Sequence, residues 1–412
     1  MYDPGSVLQL AQETAVRFPW YARLLEESDD GMESPPLLTA SILENHYYSS
    51  SPDPAIASGL TSYSTSGTSS GKRKTIYYSE ADERRYVDVK ADMYLHWLLA
   101  GGVPIHRALS DMGTGHAAGT ALDVFFRLGV QGESVSFELP IEQHLERLEA
   151  FRPELLYTMP SILDRIIRAA GQPNRFGIRK IILVGEIAPP SWQKSVAKKF
   201  GIKTADILDT YGSIEIGTIA SFSHRLGRYV VAEGLHAEGI GTGTLREGFD
   251  PLPPGEQVLV LTSFVRDAFP AVRYVTYDVV RDFRVMEIDG VPRYTFEGIV
   301  KRLGPELKHG EKISLYDIEE AIRPFSEDAD IRVEMKGRSM TVTLTSQTLP
   351  AVLIPAIRSA VEEQIPEIGA MIRGGLLDGI KVNLSRSEAA PKGKPSIKNR
   401  KIHYVRKEED TP

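Results

Sequence analysis

Residues 61–79 read Thr-Ser-Tyr-Ser-Thr-Ser-Gly-Thr-Ser-Ser-Gly-Lys-Arg-Lys-Thr-Ile-Tyr-Tyr-Ser. Gly67 and Gly71 carry no Cβ, so backbone N–H groups can turn inward there. Thr65, Ser66, Thr68, Ser69 and Ser70 add short hydroxyl donors, and Lys72, Arg73 and Lys74 put positive charge at the end of the run. Such a loop is suited to a polyanion, and the triphosphate of ATP is the natural guest. A flexible Ser/Gly linker would share the composition. It would need neither the basic cluster nor the strand-like Ile76-Tyr77-Tyr78 that follows.

Two known signatures nearly fit and fail on spacing or context. A Walker A loop places four residues between its glycines and a hydroxyl residue after the lysine; here three residues separate Gly67 from Gly71, and Arg73 follows Lys72. The run from Gly67 to Gly71 also has the form of a hydrolase nucleophile elbow with Ser69 as nucleophile. That motif leads from strand to helix, whereas a basic and then β-branched, aromatic stretch follows here. Further on, Gly113, Gly115 and Gly119 imitate a dinucleotide fingerprint with one residue too many before the last glycine. His116, within that segment, is either a pocket residue or a plain loop histidine.

The elements that must position these residues follow from composition and periodicity. A chain of 412 residues, 42% hydrophobic, is long enough for two or three domains, and a net charge of −7 with scattered basic residues gives no nucleic-acid footprint. There is no cysteine, hence no disulfide, no thiolate zinc site and no cysteine nucleophile; thioester chemistry would need a partner's thiol. No apolar run is long enough to span a bilayer and no basic-then-apolar signal opens the chain, so the cytoplasm is the expected location.

Helical spacing marks residues 6–27, broken at Pro19, and residues 80–100, whose charges read as a solvated face. From 140 to 208 helices alternate with short apolar strands such as Lys180-Ile181-Ile182-Leu183-Val184, an α/β layer. Ligands on such sheets bind beyond the strands' carboxyl ends, where Gly185-Glu186 and the segment from Asp209 to Glu215 are expected to form loops. After Gly227 short strands with Gly/Pro turns indicate a small β-rich subdomain, with strands at 229–232, 243–245, 257–262, 272–276 and 279–286. Beyond 300 a βαβ-like tail forms a small domain of its own.

Taken in order, these stretches resemble the adenylate-forming enzyme superfamily, most closely its phenylacetate-CoA-ligase-like branch, over nearly the whole chain. Residues 65–74 resemble the phosphate loop. Residues 152–161 and 180–186 resemble the stretches lining the acyl and adenine pockets. Asp209-Thr210-Tyr211-Gly212-Ser213-Ile214-Glu215 resembles the Tyr-Gly-x-Thr-Glu motif, and residues 273–278 resemble the ribose-binding motif. Gly310-Glu311-Lys312-Ile313 with Ile318-Glu319 resembles the start of the mobile C-terminal domain, and Pro391-Lys392-Gly393-Lys394 the loop of the catalytic lysine.

The resemblance implies an N-terminal adenylation domain over 1–300, with layered α/β subdomains and a small β-rich one, and a mobile α+β domain over 301–412. It implies that a carboxylate attacks the α-phosphorus of ATP. The approach of two anions requires positive charge and fixed geometry. Lys72 and the loop from Thr65 to Gly71 would hold the leaving pyrophosphate, Glu215 would anchor Mg²⁺, and Asp278 would bind the ribose. Gly185, Glu186 and Asp209 to Ser213 would frame adenine, with Tyr211 stacking. Arg302 would meet ribose and phosphate, and Lys394 would bridge the substrate carboxylate and AMP, with Lys398 its rival one turn on. Gly115, His116 and Gly185 would line the acid pocket.

The acid is expected to be compact and aromatic. The acceptor is expected to be the phosphopantetheine thiol of CoA or of a carrier protein, as in siderophore assembly, and a homodimer is an admissible assembly. Two departures stand out. Ile214 occupies the place of a hydroxyl residue, so Ser213 or another donor must substitute, and residues 301–309 lack the hinge aspartate. A regulatory nucleotide binder of the same fold is the alternative.

Overall fold

Strands Leu155–Thr158 (β5) and Lys180–Leu183 (β6) are buried at every position, so they must lie inside a sheet covered on both faces. The computed structural model describes residues 3–28, 34–48, 59–64, 74–100, 102, 104–112, 116–245, 247–303, 315–326, 329–336, 338–373, 377–386 and 402–404. In it β5 and β6 lie within a nine-stranded sheet of order β13-β14-β9-β8-β7-β6-β5-β3-β4. One side is parallel: Arg107–Ser110 (β3), Gln131–Ser134 (β4), β5, β6 and Ile207–Ser213 (β7). The other side is antiparallel: Gly217–Ser223 (β8), Arg228–Val231 (β9), Arg284–Ile288 (β13) and Val291–Phe296 (β14). β7 is the strand where one pattern changes to the other. Helices Glu80–Ala100, His116–Arg127, Ile141–Phe151, Pro160–Ala170 and Pro190–Phe200 supply the apolar residues that pack on the parallel half.

The elements expected on the way into the sheet are present. Helices Pro4–Arg17 and Pro19–Glu26 meet at the expected break. Leu60–Ser64 (β1) and Thr75–Ser79 (β2) pair antiparallel with Ser64 opposite Thr75, so the residues flanking the expected phosphate loop belong to a hairpin. That is neither the strand-to-helix setting of a nucleophile elbow nor that of a Walker A loop. Ser79 and Asp82 then cap the next helix reciprocally, each backbone N–H reaching the other's side chain at 3.1 Å.

Three expectations need correction. The charges of the Glu80–Ala100 helix are not all solvated: Asp82 is buried against Arg266, and Lys90 is buried against the Tyr86 ring and the Tyr157 hydroxyl. The segment from Asp209 onward is strand up to Ser213, because β8 continues its pairing, and only 214–216 form the turn. The β-rich region is not one subdomain. β9, β13 and β14 extend the large sheet, while Leu235–Ile240 (β10), Glu256–Ser263 (β11), Tyr274–Arg281 (β12) and Gly298–Arg302 (β15) form a separate one. The 243–245 stretch is part of a 3-10 turn, Thr242–Leu245, and β10 escaped notice because the alternation of Leu235, His236, Ala237 and Glu238 lasts only four residues before Gly239 and Ile240 break it.

The tail has its own core, including Ile318, Ile331, Val342, Ile357, Val361 and Ile380, around a sheet of order β18-β17-β16-β19. These strands are Asp330–Lys336 (β16), Ser339–Thr345 (β17), Ile380–Ser385 (β18) and Ile402–Tyr404 (β19). Among the described residues, polar pairs link it to the rest. Arg281 makes two 3.1 Å bonds to Asp317, and the Ser191 N–H and hydroxyl donate to Glu320 at 3.2 and 2.8 Å.

Candidate active site

β7 presents the motif from a strand clamped on both sides. The Thr210 hydroxyl donates to the Leu183 carbonyl at 2.8 Å, the Tyr229 hydroxyl donates to the buried Asp209 carboxyl, and Gln193 approaches the same carboxyl at 3.5 Å. Burial pushes the Asp209 carboxyl up to about 8, against the hydrogen bonds from Tyr229 and the Thr210 backbone. The Asp209 and Thr210 side chains are thus committed inward, and what β7 offers a nucleotide there is backbone. At Gly212 the hairpin closes tightly: a Cβ would lie 2.6 Å from the Gly217 carbonyl oxygen, so only glycine fits.

The turn between β7 and β8 holds Glu215 in place by its backbone. The Ile214 carbonyl accepts from the Tyr78 hydroxyl at 2.7 Å, and the Glu215 carbonyl accepts from Arg266 Nε at 3.0 Å. Arg266 also reaches Asp82 at 2.6 Å and the Tyr77 carbonyl at 3.0 Å, and lies 3.7 Å above the Tyr78 ring. One buried guanidinium therefore ties the Glu215 turn to β2 and to the first turn of the Glu80–Ala100 helix. The Ser213 hydroxyl accepts from the Ile216 N–H at 3.2 Å and keeps its own proton to donate, which suits the substitute role that Ile214 requires.

Asp278 lies on β12 opposite Arg302 on β15. Its carboxylate accepts from the Tyr211 hydroxyl at 2.5 Å and faces Arg302 Nε at 3.7 Å, while Arg302 donates to the Thr276 carbonyl at 3.3 Å. Glu215 and Asp278 both act electrostatically on Tyr274 and Arg302, and Asp278 first, then Tyr274 and Glu215, hold the guanidinium charged against burial. The two acids and the arginine therefore share one neighbourhood. The ribose-motif backbone is strained: Arg273 and Tyr277 have φ of 46° and 61°. Side chains hold that strain in place. Arg273 forms a fork with Glu238 at 3.0 and 2.9 Å, and the Tyr277 hydroxyl bridges Glu247 and the Ala40 N–H.

Gly185 follows β6 with φ of 80°, a left-handed turn that favours glycine. The Glu186 carboxylate is occupied by the Ser161 N–H and hydroxyl at 2.8 and 2.9 Å, at the start of the Pro160–Ala170 helix, so this turn too would meet a nucleotide through its main chain. His116 proves to be enclosed: the Tyr63, Tyr78 and Tyr86 rings lie 4.2–4.5 Å from it, and its Nε2 meets Glu83 at 2.7 Å. Burial lowers its pKa, more than Glu83 raises it. At Glu83 burial is outweighed by hydrogen bonds from His116 and Tyr63, which bring the carboxyl below its ordinary value. The pair is a neutral imidazole donating to a carboxylate.

Thr65, Ser66, Gly67, Thr68, Ser69, Gly71, Lys72, Gly115, Lys394 and Lys398 lie outside the described residues. Sequence reasoning missed Glu83, Arg266 and Tyr211's bond to Asp278; the buried charges sit among ordinary-looking polar residues, and no local spacing marks them. Among the described residues no group of three or more metal-ligating side chains is present. Glu215, 8% exposed, would hold a metal only together with phosphate oxygens and water, which is how Mg²⁺ is usually bound.

The chain thus joins a mixed sheet with its motif strand at the parallel-to-antiparallel change, an acid pair sharing an arginine, and a small separate α+β tail. Known proteins share this build. The chain is 38% identical over 377 residues to the fumarate–(S)-2,3-diaminopropanoate ligase of Enterobacter agglomerans, covering 90% of this chain and 92% of the relative. A family model for the C-terminal domain of fumarate–diaminopropanoate ligase matches residues 308–387. Among solved structures, 2-hydroxyisobutyryl-CoA ligase in the postadenylation state, in complex with R3-HIB-AMP, superposes with a TM-score of 0.72 at 16% identity, covering 98% of this chain and 88% of that one. The amide bond synthetase McbA from Marinactinospora thermotolerans superposes at 0.53 and 15% identity, over 81% and 67% of the two chains. The chain belongs to the adenylate-forming ligase superfamily. It is an AMP-forming acid ligase, activating a carboxylic acid with ATP as the acyl-adenylate.

Proposed function

We propose that this ligase activates a short dicarboxylic acid of the fumarate class and transfers it to an amine, forming an amide. The observation that carries this reading is the 38% identity, over nine-tenths of both chains, to a ligase named for joining fumarate to a diamino acid. In the first step a substrate carboxylate oxygen bonds to the α-phosphorus and the bond to pyrophosphate breaks. In the second the amine nitrogen bonds to the acyl carbon, the bond to AMP breaks, and the nitrogen sheds a proton to solvent or a nearby base.

The loop from Thr65 to Gly71 and Lys72 hold the leaving pyrophosphate in this reading. Asp278 receives the ribose hydroxyls, Arg302 meets the ribose and phosphate, and Tyr211, fixed by its bond to Asp278, flanks the base. Glu215 would hold Mg²⁺, which would supply positive charge to offset that of the phosphates. Lys394 bridges the carboxylate and the α-phosphate. The compact aromatic acid gives way here to an aliphatic diacid, and the thiol of CoA or of a carrier protein becomes the rival acceptor. The need for ATP points to the cytosol; among the described residues no helix is long and apolar enough to cross a membrane.

The experiment incubates the protein with ATP, Mg²⁺ and fumarate, adding in turn 2,3-diaminopropanoate, CoA or a pantetheinylated carrier, and identifies products by mass. The expected result is a fumaroyl amide formed with AMP only in the diamine reaction. Thioester formed with CoA or the carrier, and no amide, would overturn the amine assignment.

A further inference from the structure

Among the described residues, three carboxylates of the tail meet the rest of the chain, here called the body. Asp317 and Glu320 lie three residues apart on helix Leu315–Ile322, whose Ile318, Ala321 and Ile322 pack into the tail's core, so the two acids share another face. Left to solvent, such a face would be an ordinary charged surface. Here each acid finds a group on the body. Both terminal nitrogens of Arg281 hold Asp317 in a fork, at 3.1 Å each. Glu320 accepts from the Ser191 N–H and hydroxyl at 3.2 and 2.8 Å, and Asp330 on β16 stands 4.0 Å from Arg168.

Two of these contacts have support behind them. The Pro190–Phe200 helix opens after Pro189, whose side chain has no acceptor to cap it. Glu320 supplies that cap from the tail, and with it a negative charge at the positive end of the helix dipole. Arg281 also donates to the nearly buried Glu256 at 3.0 Å, and Glu256 has Lys301 of β15 at 3.5 Å. Lys301, Glu256, Arg281 and Asp317 thus alternate in charge from body to tail. Burial works against the Arg281 charge, and Asp317 and then Glu256 more than offset it. The body partners lie on three different elements, Pro160–Ala170, Pro190–Phe200 and β12, and three separate points fix the orientation of one rigid piece on another.

We propose that Asp317 and Glu320 form a latch that holds the tail in one of the two orientations between which it alternates, and so sets the balance of the two half-reactions. This rests on the reading above in which the tail brings Lys394 to the ATP site. An exposed ion pair adds little to the stability of a fold. Two orientations that interconvert at every turnover lie close in free energy, and between them the same pair decides the populations. Neither acid belongs to the candidate site, so replacing them tests the orientation apart from the chemistry.

The chain has no cysteine, so Val16→Cys on the body and Val352→Cys on the tail, both highly exposed, take one pair of spin labels. Double electron–electron resonance then reads their separation in the free protein, with ATP, Mg²⁺ and fumarate, and after 2,3-diaminopropanoate is added. The parent is expected to show one dominant distance when free. Asp317→Asn with Glu320→Gln is expected to populate a second. Without labels, acyl-AMP formation is read by pyrophosphate exchange and the second step by transfer from preformed acyl-adenylate. The ratio of the two rates is expected to change at least about fivefold in the double variant, one rate falling while the other holds or rises. Both rates falling alike, or distances identical to the parent's, overturns the latch. Failure of the underlying scheme looks different: the parent would keep one distance under all three conditions, and no swing would remain to be latched. Should the diamine give no product, CoA takes its place as acceptor and the same comparison decides.

Discussion

Asp209 is a carboxylic acid kept neutral at neutral pH, and its cost can be measured. In the unfolded chain it titrates near 3.8, in the fold at about 8, so the folded protein holds the proton more tightly. Its contribution to stability is therefore complete below about pH 4 and is lost as pH rises toward 8. Asp209→Asn cannot ionise and can still accept from the Tyr229 hydroxyl. The variant's Tm relative to wild type is expected to rise between pH 5 and pH 8.5, read by thermal melts across that range; a parallel pair of curves would refute the assignment. Other residues at this scale serve the site indirectly: Glu186 and Thr210 spend their side chains on fixing backbone that a nucleotide would meet.

At the scale of elements, the site depends on joints between pieces far apart in sequence. Arg266, on the connection after β11, binds the first turn of the Glu80–Ala100 helix through Asp82, β2 through Tyr77, and the β7–β8 turn through Glu215. Asp82 also accepts the N–H groups of Asp267 and Ala268 at 2.7 and 3.0 Å. Arg266→Met would leave a buried carboxylate without its cation, which costs about 3–5 kcal/mol. The denaturant midpoint should fall accordingly. Because the Glu215 turn loses its anchor, exchange measured well below the new Tm should fall by more than about tenfold. Retained stability with normal exchange would show that the guanidinium is dispensable. The β1–β2 hairpin is the other such joint, since it brings both ends of the Ser/Thr/Gly run together beside that anchor.

At the scale of the whole molecule, the tail packs on its own core and touches the rest through polar pairs such as Arg281 with Asp317. Polar, solvent-reached contacts of this kind separate at low cost, as alternation between two half-reactions requires. Lys394 belongs to this scale, because in the proposed scheme its role requires the tail to swing toward the ATP site. Lys394→Ala is expected to abolish acyl-AMP formation, a loss of at least about a thousandfold. Transfer from preformed acyl-adenylate should stay within a few-fold of wild type. Equal loss in both assays would point to a general structural effect, and acyl-AMP formation left intact would point to Lys398.

The sequence by itself determined the kinds of elements, the order of the motifs and the family. Buried strands such as β6 are apolar throughout, helices declare a 3.6-residue period, and glycine and serine runs have few other uses. Only the tertiary structure decided where β7 changes from parallel to antiparallel neighbours, that β9, β13 and β14 join the large sheet, and that Asp82, Lys90 and His116 are enclosed. Those outcomes turn on partners 30 to 185 residues away along the chain, as with Tyr157 for Lys90 and Asp267 for Asp82. Local residue spacing carries no record of which distant side chains will close over a charge.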